Sequence, residues 1–208
     1  AEEVVEAAKA AADNGLTPSM VLGRTRLDLE LDAAVDDYLR LIDNAAEVGA
    51  RWILDLGTGS GVIAVSLCHS IPDARVTATD LSFPALRLAG QNARMNGVAN
   101  RISFLQGDFL SPLNGEPAFH AIVANPPYIP SPALPCLQPE VRDFDPRIAL
   151  DGGQDGLTCI RTIISEAHTL LLEGGLVLLE TAHYQCHTVA ALLRKHLQDV
   201  KILKDLTG

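Results

Sequence analysis

The 208-residue sequence is 48% hydrophobic, yet it has no apolar run approaching the roughly 20 residues that cross a bilayer. Nor does it open on a charged stretch followed by an apolar core, so no secretion signal is read and a soluble, cytoplasmic protein is expected. Cysteine is scarce and unpaired. Cys68, Cys136, Cys159 and Cys186 show neither close pairing nor metal-ligand spacing, which argues against disulfides and zinc and makes them small core hydrophobes. His183 and His187 stand four apart, but no Glu completes the motif and no third ligand is near, so no metal is expected. A basic stripe is also lacking: residues 1–50 carry −7 of the net charge of −10, and residues 51–208 carry −3. Phosphate contacts supply most of the affinity for nucleic acid, so an acidic chain without clustered Lys and Arg is a poor nucleic-acid binder.

What the chain does have is an alternation of strand and helix signals in a length suited to one substantial α/β core. Residues 1–13 read as a peripheral helix stopped at Asn14-Gly15. A second helix starts at Leu31, with Val35, Tyr38, Ile42 and Ala45 at helical spacing, and stops at Gly49. Trp52–Leu56 then reads as a buried strand feeding the glycine-rich turn Gly57-Thr58-Gly59-Ser60-Gly61 and a helix over Val62 to Ser70. That arrangement lets backbone approach a ligand and aims helix N–H groups at it. A second strand, Arg75 to Asp80, ends in a carboxylate suited to the two hydroxyls of an adenosine ribose. Ser82 caps a helix to Met95, closed by Asn96-Gly97. Arg101 to Gln106 forms a third strand, after which Asp108 can reach an adenine amine with Phe109 packed nearby. Asp108 can equally be a simple turn former.

The stretch Ala121-Ile122-Val123-Ala124-Asn125-Pro126-Pro127-Tyr128 is an apolar strand halted by two prolines, which places Asn125 and Tyr128 at the ligand-binding edge of a parallel sheet. The Asn125 carboxamide oxygen and the Pro126 carbonyl can each accept one N–H of a planar –NH2 group, with the Tyr128 ring as a flat wall. Such a cradle turns the nitrogen lone pair toward an electrophile and acts by positioning. The alternative is an ordinary turn in which the prolines merely end a strand. Residues 129–156, rich in Pro, Asp and Gly, read as a substrate-side flap. Beyond them the pattern predicts a helix over Leu157 to Leu172, a stop at Gly174-Gly175, a strand over Leu176 to Glu180, a helix over Thr188 to Leu197 and a strand over Val200 to Leu203. The fold class is α/β, a doubly wound, mostly parallel sheet.

Taken together, Asp55-Leu56-Gly57-Thr58-Gly59-Ser60-Gly61, Asp80 and Asp108 resemble the S-adenosylmethionine site of class I methyltransferases, and Asn125-Pro126-Pro127-Tyr128 resembles the signature of amino-methyltransferases. Pro139-Glu140-Val141, Asp145-Pro146, Ala149-Leu150, Gly152-Gly153, Asp155-Gly156-Leu157 and Gly174-Gly175 are further similar to the HemK-type protein-glutamine N5-methyltransferases that modify peptide-chain release factors. The similarity runs from about Trp52 to Gly208. It implies a Rossmann-like domain over residues 51–208 behind an N-terminal helical extension over residues 1–50. It also implies S-adenosylmethionine as cofactor, S-adenosylhomocysteine as product, and a release factor as protein partner. Cofactor contacts would fall to Asp55, Gly57, Thr58, Gly59, Gly61, Asp80, Leu81, Asp108, Phe109 and Asn125, and catalysis to Asn125, Pro126 and Tyr128. The family's Pro-Arg-Pro-Glu-Thr segment is replaced here by Gly23-Arg24-Thr25-Arg26, and its Glu-Ile-Gly by Glu180-Thr181-Ala182. Family members continue into a seventh strand, so the domain is expected to lack its last strand. An amino-methyltransferase acting on an RNA or DNA base would share every motif through Tyr128 but would add basic or aromatic surface. A non-catalytic nucleotide-binding module or an NAD-dependent enzyme would explain the glycine turn and Asp80 but leave Asn125 to Tyr128 without a role.

Overall fold

Ile53 to Leu56 are buried without a break, the pattern of a strand covered on both faces in the middle of a parallel sheet. The computed structural model describes Ala45, residues 49–113 and residues 115–202. This strand, β1 (Trp52–Leu56), leads into α1 (Val62–Ser70), β2 (Arg75–Asp80), α2 (Phe83–Met95), β3 (Ile102–Gln106) and β4 (Phe119–Ala124). Two one-turn helices follow, α3 (Pro139–Arg142) and α4 (Arg147–Leu150), and then α5 (Thr158–Leu170), β5 (Leu171–Leu179) and α6 (Cys186–Leu193). The strands pair in parallel in the order β3-β2-β1-β4-β5. From β1 the chain winds outward to β3, then crosses to the other side of β1 as β4. The switch point therefore lies between β1 and β4, where a crevice opens beyond the strand ends.

Each face of the sheet has its own core. Ile53, Val76 and Val123 pack with Val65 and Leu67 of α1 on one side, while Leu54, Leu56 and Ile122 pack with Ile163 and Leu170 of α5 on the other. Helix α1 is buried continuously from Ile63 to Cys68, as expected of a helix that is apolar all round. In α2 only Leu86, Ala89, Gly90 and Ala93 are buried, an i, i+3, i+4, i+7 stripe that lays one face on the sheet. The Ser82 hydroxyl accepts the Ala85 N–H at 3.3 Å and caps its start. In α5 the stripe is Ile160, Ile163, Ile164, Ala167 and Leu170, and each isoleucine contributes about 1.5–3 kcal/mol by burial.

Several expectations need correction. Strand β5 begins at Leu171, directly after α5, and Gly174-Gly175 lie inside it. The pairing moves from Phe119 opposite Leu171 to Ala121 opposite Leu176, so the glycines mark a bulge in the strand and do not separate helix from strand. Helix α6 starts two residues earlier than expected and ends at Leu193, and the Lys195 and His196 N–H groups bond three residues back in tightened turns. Residues 200–202 form no strand, and Leu203 lies outside the described residues. Outside them too are the helix expected over residues 1–13 and nearly all of the one expected from Leu31, of which Ala45 is helical. Of the cysteines only Cys68 is buried in the core; Cys136 is exposed, and Cys159 and Cys186 are half-buried. The stretch 129–156 is also more than a flap. Ile129, Leu134, Val141 and Leu150 form an apolar cluster of their own, closed where the Ile129 N–H donates to the Leu150 carbonyl and the Gly152 N–H to the Ile129 carbonyl.

Candidate active site

At the C-terminal ends of the strands the turns after β1, β2, β3 and β4 face the 129–156 segment across one cavity of about 870 Å³. Its floor is the turn between β1 and α1, which is held residue by residue. The Thr58 hydroxyl donates to Asp55 Oδ2 at 2.6 Å, and the Thr58 N–H to the Thr79 carbonyl at 2.9 Å. Asp80 holds the next position, its Oδ2 accepting the Gly59 N–H and its Oδ1 the Ser82 N–H, both at 2.8 Å. From α2, Asn92 Nδ2–H donates to the Ser60 carbonyl at 2.8 Å. Gly61 ends the turn at φ 82°, where an added Cβ would stand 2.8 Å from Ala89 Cβ. Only glycine lets α1 and α2 approach this closely. Phe109, after β3, stands at φ 42°, a left-handed conformation that a phenylalanine adopts at a cost of about 1–3 kcal/mol, and its ring lies over Gly57.

The charges of the site are uneven. Burial pushes the Asp55 carboxyl up to about 7, against the opposing bonds from Thr58 and the Ala64 N–H, and the neighbouring Asp80 adds to the rise. Asp55 Oδ1 is buried without a hydrogen-bond partner. On the facing wall, bonds from Ser131, the Gly153 N–H and Arg147 hold Asp151 below the ordinary carboxylate range. Among the described residues that line the cavity, Asp80, Asp108, Asp145 and Asp151 stand against Arg147 as the single cationic side chain, so the cavity favours a cationic ligand.

Of the residues singled out in the sequence, Gly57, Thr58, Gly59, Asp80, Leu81, Asp108, Phe109 and Asn125 line this cavity. Asp55 lies beneath Thr58, and Gly61 is turned against Ala89. Pro126 is buried, and Tyr128 packs half-buried between the Ile129–Leu134 cluster and the cluster of Leu157 and Ile160. Neither lines the cavity, because the apolar clusters on both sides take up the Tyr128 ring that was expected as a flat wall. Sequence reasoning missed Asn92, whose signal is an Asn inside a helix one turn after Ala89, a position where its side chain calls for a tertiary partner. It also missed Gln185, which carries no local signal.

The methyltransferase small domain family model matches residues 29–133. The release factor glutamine methyltransferase of Moorella thermoacetica is 43% identical over 198 residues, which cover 94% of this chain and 67% of that protein. The chain belongs to the release factor glutamine methyltransferase family. Another member, from Gloeobacter violaceus, is 41% identical over 180 residues, covering 86% of this chain and 60% of its own length. The chain thus spans 60% to 67% of the length of these two family members. Among solved structures, the ribosomal protein L11 methylase of Lactobacillus delbrueckii subsp. bulgaricus shares the fold, with a TM-score of 0.58 at 22% identity over 80% of this chain and 71% of that one. The family's cofactor is S-adenosylmethionine, and the residues present fit it. Apolar Leu81, Leu88 and Phe109 line the cavity beside Asp80 and Asp108, a lining that suits an adenosine, while the excess of aspartates suits a sulfonium cation. No helix of the described residues is long and apolar enough to cross a membrane.

Proposed function

We propose that this chain transfers a methyl group from S-adenosylmethionine to the side-chain amide nitrogen of a glutamine in a peptide-chain release factor, and that it works in the cytoplasm where that partner is found. The observation that carries the reading is the sharing of one cavity by Asn125 and the Gly57–Ser60 turn, with the relatives' names supplying the substrate class. When bound, S-adenosylmethionine supplies an electrophilic methyl on a cationic sulfonium. Asp80 orients the ribose hydroxyls through lone pairs left over after Gly59 and Ser82, since a carboxylate offers about four acceptor sites. The Asp108 carboxylate accepts from the adenine amine, and the Phe109 ring packs beside it. Asn125 Oδ1, on the cavity wall, accepts an N–H of the glutamine amide and turns its nitrogen toward the cavity. An amide is a poor nucleophile and its nitrogen becomes acidic only as it gains carbon, so no strong base is needed and the proton leaves to water.

The test combines isotope-labelled S-adenosylmethionine, a release factor and mass-spectrometric mapping of the modified atom. Wild type should label one glutamine side chain. Asn125→Ala should lower the single-turnover rate by about 10²–10³ with cofactor affinity nearly intact, the usual loss for one oriented hydrogen bond in a preorganised site. Labelling of protein-free nucleic acid in place of glutamine would overturn the substrate class. A loss explained wholly by weaker cofactor binding would return Asn125 to a strand-ending turn.

A further inference from the structure

The segment Asn125 to Tyr128 has a peculiarity of anchorage. Pro126 and Pro127 carry no N–H, so the segment cannot be held by donation at those positions. It is gripped instead through the carbonyl oxygens at its two ends. At the entry, the Glu180 N–H donates to the Ala124 carbonyl at 3.0 Å. At the exit, Gln185 Nε2–H donates to the Tyr128 carbonyl at 3.1 Å. Both donors come from the short stretch that follows β5.

Gln185 is 3% exposed, and its amide is fully used. Nε2 donates a second bond to the Asp155 carbonyl at 3.3 Å, while Oε1 accepts the Thr181 hydroxyl at 3.1 Å and the Ala182 N–H at 3.3 Å. Two N–H groups and two lone pairs are what a carboxamide has, and all four are engaged. Gly156 completes the socket. A Cβ there would fall on the Tyr128 carbonyl oxygen and within 2.5 Å of Gln185 Nε2. A buried glutamine thus ties three stretches together at one point: the turn after β4, the turn before α5 and the turn after β5.

We infer that Gln185 is a positioning residue for methyl transfer, fixing the Tyr128 carbonyl and through the stiff Pro126-Pro127 pair the direction in which Asn125 faces the cavity. The inference rests on the function proposed above. A glutamine serving only to satisfy buried groups would affect stability and leave the rate of the folded enzyme unchanged, whereas a positioning residue acts on turnover at constant folded fraction.

The test uses Gln185→Glu, which keeps the size and both acceptors but loses both donors, and Gly156→Ala, which crowds the same carbonyl from the other side. Three quantities are read at a temperature where every variant is folded: cofactor affinity by calorimetry, hydrogen exchange at the Ile129 N–H, and the single-turnover rate with saturating release factor. Cofactor affinity should stay within about threefold, Ile129 exchange should rise, and the rate should fall on the order of 10²-fold, as expected for reacting groups displaced by about an ångström. The double variant should lose little more than either single one, because both disturb the same contact. Lowering the pH should relieve part of the Gln185→Glu defect relative to wild type, since a protonated carboxyl donates one O–H to a facing carbonyl. A rate within about threefold of wild type, or a loss matched by weaker cofactor binding, overturns the inference. If wild type itself fails to methylate the release factor, the proposed function has failed. Unchanged exchange at Ile129 in both variants overturns the inference whatever the rate, because the Tyr128 carbonyl then does not depend on Gln185.

Discussion

Asp55 offers a test of how the floor of the cavity is built, because its ionisation opposes the fold. Its pKa rises from an ordinary 3.8 to about 7, mainly through burial. At 1.36 kcal/mol per unit this makes ionising the folded protein costlier than ionising the unfolded chain by about 4 kcal/mol. Below pH 3.8 both states are protonated and the cost is absent. Between 3.8 and about 7 the unfolded chain ionises while the folded protein keeps its proton, so stability falls as pH rises. Above about 7 both states are ionised and the full cost remains. Asp55→Asn removes the titration while keeping an oxygen that can accept from Thr58 and the Ala64 N–H. The variant's stability relative to wild type should therefore improve by up to about 4 kcal/mol between pH 4 and pH 8, and other acids cancel in the difference. Urea unfolding of both proteins across that range, without cofactor, reads it directly. A difference that stays flat with pH would refute the reasoning, and so would one of opposite slope.

Gly61→Ala should destabilise the protein by about 1–3 kcal/mol or more, because the new Cβ stands 2.8 Å from Ala89 Cβ at φ 82°; an unchanged urea midpoint would count against close packing of α1 on α2. Asp80→Ala removes the acceptors of the Gly59 and Ser82 N–H groups and should weaken S-adenosylmethionine at least about tenfold, since bonds to a charged acceptor contribute roughly 1.5–3 kcal/mol. Calorimetry showing wild-type affinity would remove Asp80 from the site.

How much of this was legible in the sequence depended on how local each cause was. The bounds of β1, α1, β2 and α2 follow from apolar runs, glycines and the Ser82 cap within a few residues of where they act, and the structure has them at those bounds. Gly174-Gly175 shows where locality fails. A glycine pair reads the same whether it breaks the chain between elements or bulges within a strand, and pairing with β4 decides for the bulge. The cysteines fail for a related reason. Cys136 has the residue type of the core but sits on a surface turn among prolines, and residue type says nothing of which face a turn presents.

The side chains that hold the site are the least legible of all. Asn92 meets Ser60 across 32 residues, and Gln185 meets Tyr128 across 57. Asn92 is marked only as an amide inside a helix, which names no partner, and nothing in the immediate surroundings of Gln185 marks it, because an amide is an equally good residue on an exposed turn. The reacting groups stand out in sequence since strand ends, prolines and glycines constrain the backbone that carries them. The groups that aim them are found only when the chain is folded and each buried donor is followed to its acceptor. For the proposed role of Asn125 that accounting runs through the Tyr128 carbonyl to Gln185, a contact that a site built only from the motif residues would omit.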